Sequence, residues 1–423
     1  MTLPARHMCK VLQLWFLVLL LGPMPAISAD TVKIAFIDAL SGPNADIGFA
    51  NLKQYQQAVR YANANGGALG LDLELVPLDD ASSVKRALEH LELAMQQGIH
   101  YVTQGNDPEI AVALASAIDA HNRENPNRTV VFLNYGDSAP QLDNEACSFW
   151  QFRFDASITM KTRALVAAIP ADGSVQSIWL LNQDNPWGQS ASREMQRALS
   201  ELRPEIRILG DELHPLSKVQ DFSGYVARIV DSGTDAIMTA DRGADLTGFM
   251  STLSKSGQEK YVFILSNSVS NVPAVLGNYG AGHITGVFTW HANIGSNLID
   301  QYARSYREEH GVDWNGLPAY LAIAMLVTSM QTAQSTEPSR VASTLEGLSF
   351  LGAAGPVAIR EDNHQLLQPL FVASLDTVAG GRGTAAASSN LGWQTRVHLE
   401  PGDTEVETTC EMKKPPQPGK RSQ

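Results

Sequence analysis

From Val32 onward the chain repeats one unit: a strand-length apolar run, a short polar break, then a stretch with helical periodicity. Val32 to Asp38 (VKIAFID) is a nearly continuous apolar run, the pattern of a strand covered on both faces. Ser41, Gly42 and Pro43 turn the chain into a helical pattern from about Ala50, which Asn65-Gly66-Gly67 stops. Further strands fall near 71–78, 99–103, 129–134, 176–181, 206–211, 235–240, 261–265 and 284–289, with helical stretches between most of them. Such alternation predicts parallel sheets joined by right-handed crossovers, with helices on both faces. The strands are too numerous for one comfortable open sheet, so two α/β lobes are expected.

The chain's end has a different texture. Helical patterns near 296–310, 316–333 and 337–347 precede a hairpin-like pair of strands around Glu361 to Gln365. Gly380 to Asn390 has no apolar stripe and reads as a surface loop, and Pro415 to Gln423 as a polar tail.

Arg6 and Lys10 precede the apolar run Val11 to Leu21 and the small-residue stretch Gly22 to Ala29. That order is a secretory signal peptide, too short to span a membrane, with cleavage expected near Ser28 or Ala29 and no transmembrane segment in the mature chain. Cys147 and Cys410 survive such cleavage. An oxidising compartment permits their pairing, and the sequence leaves that pairing open. With 31 basic against 44 acidic residues, the net charge of −13 argues against nonspecific attraction to nucleic acid.

In open parallel sheets, ligands gather where loops leave the carboxyl ends of strands. The loops 40–48, 104–109 (QGNDPE) and 134–141 (NYGDSAPQ) meet that description, and the last two offer backbone amides together with Asn106, Asp107, Asn134, Asp137 and Ser138. Asp107 and Ser138 are equally well placed to cap helices. Trp187, in NQDNPWG after an apolar strand, is an aromatic able to cover a ligand; Tyr135 and Asp241 follow by the same logic. Trp290 and His291 follow another strand, where hinge packing and ligand contact both stand open. Dinucleotide, phosphate-loop, nucleophile-elbow and zinc-protease motifs are missing, and the histidines have no metal-site spacing, so no cofactor and no catalytic residues are expected.

Several segments, taken in order, are similar to one family. IAFIDALSGPNADIGFANLKQYQQAVRYANANGG, LDLELVPLDD, FRFDA, NPWGQS and GPVAIREDNHQ together resemble the periplasmic solute-binding proteins of branched-chain amino acid and amide transport. The resemblance implies the type I periplasmic binding protein fold: two Rossmann-like lobes with parallel-sheet cores, joined by a three-crossover hinge. It implies an N-terminal lobe of 31–154 and 286–352, a C-terminal lobe of 155–285 and 353–378, and a surface extension with a polar tail at 379–423. It further implies a periplasmic protein that captures a small polar or amphipathic molecule between its lobes and delivers it to an ABC transporter permease. Sensing through the same cleft, or secreted hydrolysis, are the competing roles. In those relatives an acidic residue meets an α-ammonium; here that place falls near Ser266 and Asn267, which speaks against a zwitterionic α-amino acid unless Asp107, Asp137 or Asp241 supplies the anion, and makes Asn267 a candidate contact.

Overall fold

The structure is a computed structural model that describes residues 31–136, 139–265, 272–276, 279–295, 297–378 and 384–415. The first half-lobe runs β1 (Val32–Asp38), α1 (Ala45–Ala64), β2 (Leu73–Asp79), α2 (Val84–Gln96), β3 (Tyr101–Gln104), α3 (Pro108–Glu124), β4 (Val131–Asn134) and β5 (Gln151–Arg153). These strands form a five-stranded parallel sheet in the order β2-β1-β3-β4-β5. The apolar run at 32–38 sits at an inner position of that sheet, with Ile34, Phe36 and Ile37 fully buried.

The chain then crosses into α4 (Ile158–Ala167), β6 (Ser177–Asp184), α5 (Pro186–Leu202), β7 (Arg207–Pro215), α6 (Ser223–Asp231), β8 (Ala236–Thr239), α7 (Gly243–Lys255), β9 (Tyr261–Ile264), α8 (Val272–Leu276) and β10 (Ile284–Phe288). It returns through α9 (Asn297–His310), α10 (Leu317–Ala333), α11 (Pro338–Leu345), β11 (Ser349–Gly352), β12 (Gly355–Ile359) and β13 (Leu366–Leu367), and ends with β14 (Leu370–Thr377) and β15 (Leu391–Leu399). The second sheet has seven strands in the order β15-β14-β10-β9-β8-β6-β7. Its two faces carry separate cores: Ile178, Leu180, Met238 and Phe263 pack with α4 and α5, while Leu181, Ile237, Val262 and Ile264 pack with α6 to α8. Alternate residues of one strand feed opposite cores, as the two-residue period of a strand requires.

Three connections join the lobes, after β5, β10 and β13, but their positions correct the expected boundaries. The strand β10 belongs to the second sheet, so the second crossing follows Phe288 rather than residue 285. The small antiparallel sheet β11-β12-β13 places Val357, Ile359 and Leu366 in the first lobe's core, so the third crossing falls at Gln368 and Pro369 rather than at 352. Gln365 and Gln368 hold the first and third crossings side by side, donating to the carbonyls of Asp155 at 2.8 Å and Phe154 at 3.1 Å.

The segment 379–423 is more than a surface extension. Within it, β15 pairs antiparallel with β14 along its whole length and forms the edge of the second sheet. Beyond β15 the chain passes the third crossing, where Thr404 donates to the carbonyl of Gln368 at 3.4 Å, and lies against the first lobe. There the Thr409 amide donates to Asn144 at 3.0 Å, Lys414 pairs with Glu346 at 2.7 Å, and Cys410 forms a disulfide with Cys147.

Candidate functional site

The carboxyl ends of both sheets face one another across a cleft whose cavity is about 70 Å³. Its first-lobe wall is made by Asn51, Gln54 and Tyr55 of α1, Gly105 and Asn106 after β3, Tyr135 and Gly136 after β4, and Asn315 before α10. The second lobe contributes Asp155 from the first crossing, Trp187 from the first turn of α5, and Arg242 after β8. The lobes meet: Arg242 donates from Nη2 to the carbonyl of Asn106 at 3.4 Å.

The loops after β3 and β4 approach so closely that a Cβ on Gly105 would stand 2.4 Å from the amide nitrogen of Gly136. Glycine at both positions lets two backbones touch and brings Asn106 and Tyr135 to one wall. The Tyr135 ring stacks on Phe36 at 6.2 Å, and its hydroxyl donates to the carboxylate of Asp38. Asp38 is fully buried; loss of solvent, then the nearby charge of Asp80, raises its pKa well above the carboxylate range. Desolvation likewise lifts Asp80 to about 6. A band of reluctant acids thus underlies the first-lobe wall, with the Arg242 guanidinium drawing Asp38 back toward its charged form.

Trp187 is not a loop residue. Asn185 caps α5 by accepting the Gly188 amide at 2.8 Å and Pro186 occupies its first turn, so Asn-Pro-Trp-Gly starts a helix. The indole is 2% exposed, donates to the Ala240 carbonyl at 2.7 Å and belongs to the second lobe's core as well as to the cleft wall. The guanidinium of Arg242 lies 4.6 Å from its ring centre, a cation–π contact.

The remaining candidates fall in several places. Asn106 lines the cleft, donating from Nδ2 to the Asn44 carbonyl at 3.4 Å. Asp107 caps α3, accepting the amides of Glu109 at 2.9 Å and Ile110 at 3.2 Å, and does not line the cleft. Asn134 is fully buried behind the wall and shapes the loop by accepting the Gly136 amide at 2.8 Å. Asp241 turns away from the cleft into a buried pair with His214 at 2.8 Å. Burial opposes charge on both partners of that pair, and the bond to Asp241 nevertheless lifts the pKa of His214. Adjacent residues at a strand end point in opposite directions, so the cleft position taken from this loop is Arg242, not Asp241. Asp137, Ser138 and Asn267 lie outside the described residues.

Sequence reasoning missed Arg242, Asp155 and the α1 face of Asn51, Gln54 and Tyr55. Arg242 sits in a loop already singled out, one residue from the one chosen. The α1 face carried no distinguishing signal, because a helical stripe reads as core. Asp155 is buried and held by Lys161 at 2.7 Å. Among the described residues no cluster of His, Cys, Asp or Glu is arranged to hold a metal ion.

Comparisons with known proteins agree with this geometry. Residues 31–382 match the family model described as periplasmic binding protein. The chain is 26% identical over 407 residues to Leu/Ile/Val-binding protein homolog 4 of Brucella abortus (strain 2308), covering 92% of this chain and 94% of the relative. The structure is similar to the closed conformation of a leucine-, isoleucine-, valine-, threonine- and alanine-binding protein from Brucella ovis, with a TM-score of 0.78 at 20% identity, covering 92% of this chain and 100% of that one. It is also similar to a solute-binding protein of an ABC transporter from Rhodopseudomonas palustris BisB5 in complex with 3,4-dihydroxybenzoic acid, with a TM-score of 0.74 at 15% identity, covering 88% and 98%.

Proposed function

The chain belongs to the periplasmic binding protein family, and from that premise we propose that it captures a small organic carboxylate between its lobes and delivers it to the membrane permease of an ABC importer, without transforming it. The observation that carries the ligand class is Arg242, a cation brought to the cleft by the second lobe and seated on the Trp187 ring. The acids beside it are engaged: Asp38 by Tyr135 and the Ala39 amide, Asp155 by Lys161. The wall is otherwise side-chain amides, aromatic rings and the apolar Ile47, Pro318 and Ala319, which suit a carboxylate on an apolar body. The names of the similar proteins support the same class, since branched-chain amino acids and dihydroxybenzoic acid both carry a carboxylate.

Closure follows from the arrangement. A ligand bridging Arg242 to the Asn106 and Tyr135 wall binds only when both lobes contribute, so its binding energy shifts the population toward the closed form. Removal of residues 1–28 or 1–29, by cleavage after Ser28 or Ala29, belongs to this reading and is checked by the N-terminal mass of the exported protein.

Calorimetry against branched-chain amino acids, hydroxybenzoates, and amides and alcohols of matching size tests the proposal. Carboxylates should bind while their amides do not, and Arg242→Met should weaken binding by about tenfold or more, the scale of a charge-assisted hydrogen bond. Equal affinity for acid and amide would remove the carboxylate from the reading; failure of every solute to bind folded protein would remove the cleft.

A further inference from the structure

A second chamber lies beside the second crossing and adjoins the cleft at Asn315. Its cavity is about 130 Å³. Two aromatic pairs line it: Trp290 against Trp314 with ring centres 5.0 Å apart, and Phe288 against Trp393 at 4.7 Å. The α9 face bearing Asp300, Ala303 and Arg304 forms another side. Trp393 and its neighbour in the wall, Ala386, lie beyond residue 382, where the family match ends.

Most polar groups of this chamber are committed to holding its walls. His291 bonds Thr395 at 2.8 Å through Nε2 and accepts the Asn293 amide at 3.3 Å; burial lowers its pKa to about 4, so it is neutral at ordinary pH. The Asn293 side chain donates to the carbonyls of Thr384 and Trp393 at 3.0 and 2.8 Å. Arg307 donates to the Ala385 carbonyl at 2.9 Å and pairs with Asp313 at 3.4 Å.

Three buried polar atoms are left without a partner: Nε1 of Trp290, Nε1 of Trp314 and Oδ1 of Asp300. The two indoles are only 7% and 3% exposed. Buried polar groups in folded proteins are nearly always hydrogen-bonded, so two idle donors and one idle acceptor around one apolar cavity call for an occupant. The charges of the wall are matched, Asp300 by the neighbouring Arg304 and Asp313 by Arg307, so neither an anion nor a cation meets an unanswered charge, and a cation would also leave the indole donors unmet. A hydroxyl both accepts and donates. The space fits one ring, since an apolar cavity of about 150 Å³ binds benzene.

We propose that this chamber is a second ligand site, for an uncharged single aromatic ring bearing a hydroxyl, a phenol. The ring lies among Phe288, Trp290, Trp314 and Trp393, and its hydroxyl donates to Asp300 and accepts from an indole N–H. In the structure as it stands these three atoms are closed off from the cavity, so the proposal requires their side chains to turn toward the ligand. Asn315 borders both cavities, but none of the four rings lines the cleft.

The test titrates the full mature protein with phenol and with benzene, by calorimetry and by ligand-observed NMR. Phenol should bind about tenfold or more tightly than benzene and lose about tenfold in Asp300→Ala, the usual scale of a hydrogen bond to a charged group. Trp290→Phe, which keeps an aromatic wall and removes its N–H, should also weaken phenol, with folding checked by circular dichroism. Arg242→Met should leave phenol binding unchanged. The proposal is overturned if phenol fails to bind at millimolar concentration, if benzene and phenol bind alike, if Asp300→Ala has no effect, or if Arg242→Met abolishes binding and so places phenol in the cleft.

Discussion

Asp80 shows how one side chain's burial becomes a property of the whole protein. Its carboxyl is 1% exposed at the end of β2, accepts the Ser82 amide at 2.8 Å and titrates near 6 against an ordinary 3.8. The folded state therefore holds this proton more tightly than the unfolded chain does. Its contribution to stability is complete below about pH 4 and is lost as pH rises through 6. Asp80→Asn keeps an acceptor for Ser82 and removes the titration. The variant should gain stability relative to the native protein between pH 4 and 7, by at most about 3 kcal/mol, in urea unfolding followed across that range. A difference that is flat with pH would show that Asp80 keeps its ordinary pKa in the fold. At the same scale, the sequence named loops that border the cleft better than the side chains that line it. Asn106, Tyr135 and Trp187 reach the cleft, but Asp107 is spent on a helix cap and Asp241 on His214. Side-chain direction at a strand end is decided by register and by neighbours far along the chain, which residue type does not report.

Among the elements, those with a local signal were legible. The run VKIAFID is β1, the Asn65-Gly66-Gly67 stop lies at the end of α1, and the alternation of apolar runs and helices gives the parallel first sheet and the parallel part, β6 to β10, of the second. The elements that went astray are those whose place depends on distant partners. The strands β11 to β13 have ordinary hairpin texture, and only contact with the first lobe's core decides which side of the hinge they join. The strand β15 was hidden because an edge strand carries half of the apolar pattern of an inner one, and the polar stretch before it masked its start. Its role can be measured by truncation. A chain ending at Leu399 keeps β15, whereas one ending at Thr377 exposes the edge of β14 and uncovers Leu375 and the aromatic pair of Phe288. Both lose the disulfide. The shorter one alone should aggregate on mild heating, read by light scattering; equal behaviour would make β15 dispensable.

For the molecule as a whole, the segment after β15 adds a fourth connection between the lobes. It starts on the second sheet, passes the third crossing and is bonded to the first lobe through Cys410 and Cys147. Such a tie restricts how far the cleft opens. Cys147→Ser with Cys410→Ser should widen the ligand-free protein in small-angle scattering and cost about 2–4 kcal/mol of stability, as removal of a disulfide typically does. Identical scattering profiles would mean that the three crossings alone set the opening. The same bond has a mechanical corollary, because Cys147 and Cys410 are 263 positions apart and the ring they close contains the entire second lobe. Tension applied to the two ends of the polypeptide would jump from one sulfur to the other. It would unravel the early strands while the enclosed lobe stayed slack, and only reduction would release the stored length of roughly 900 Å.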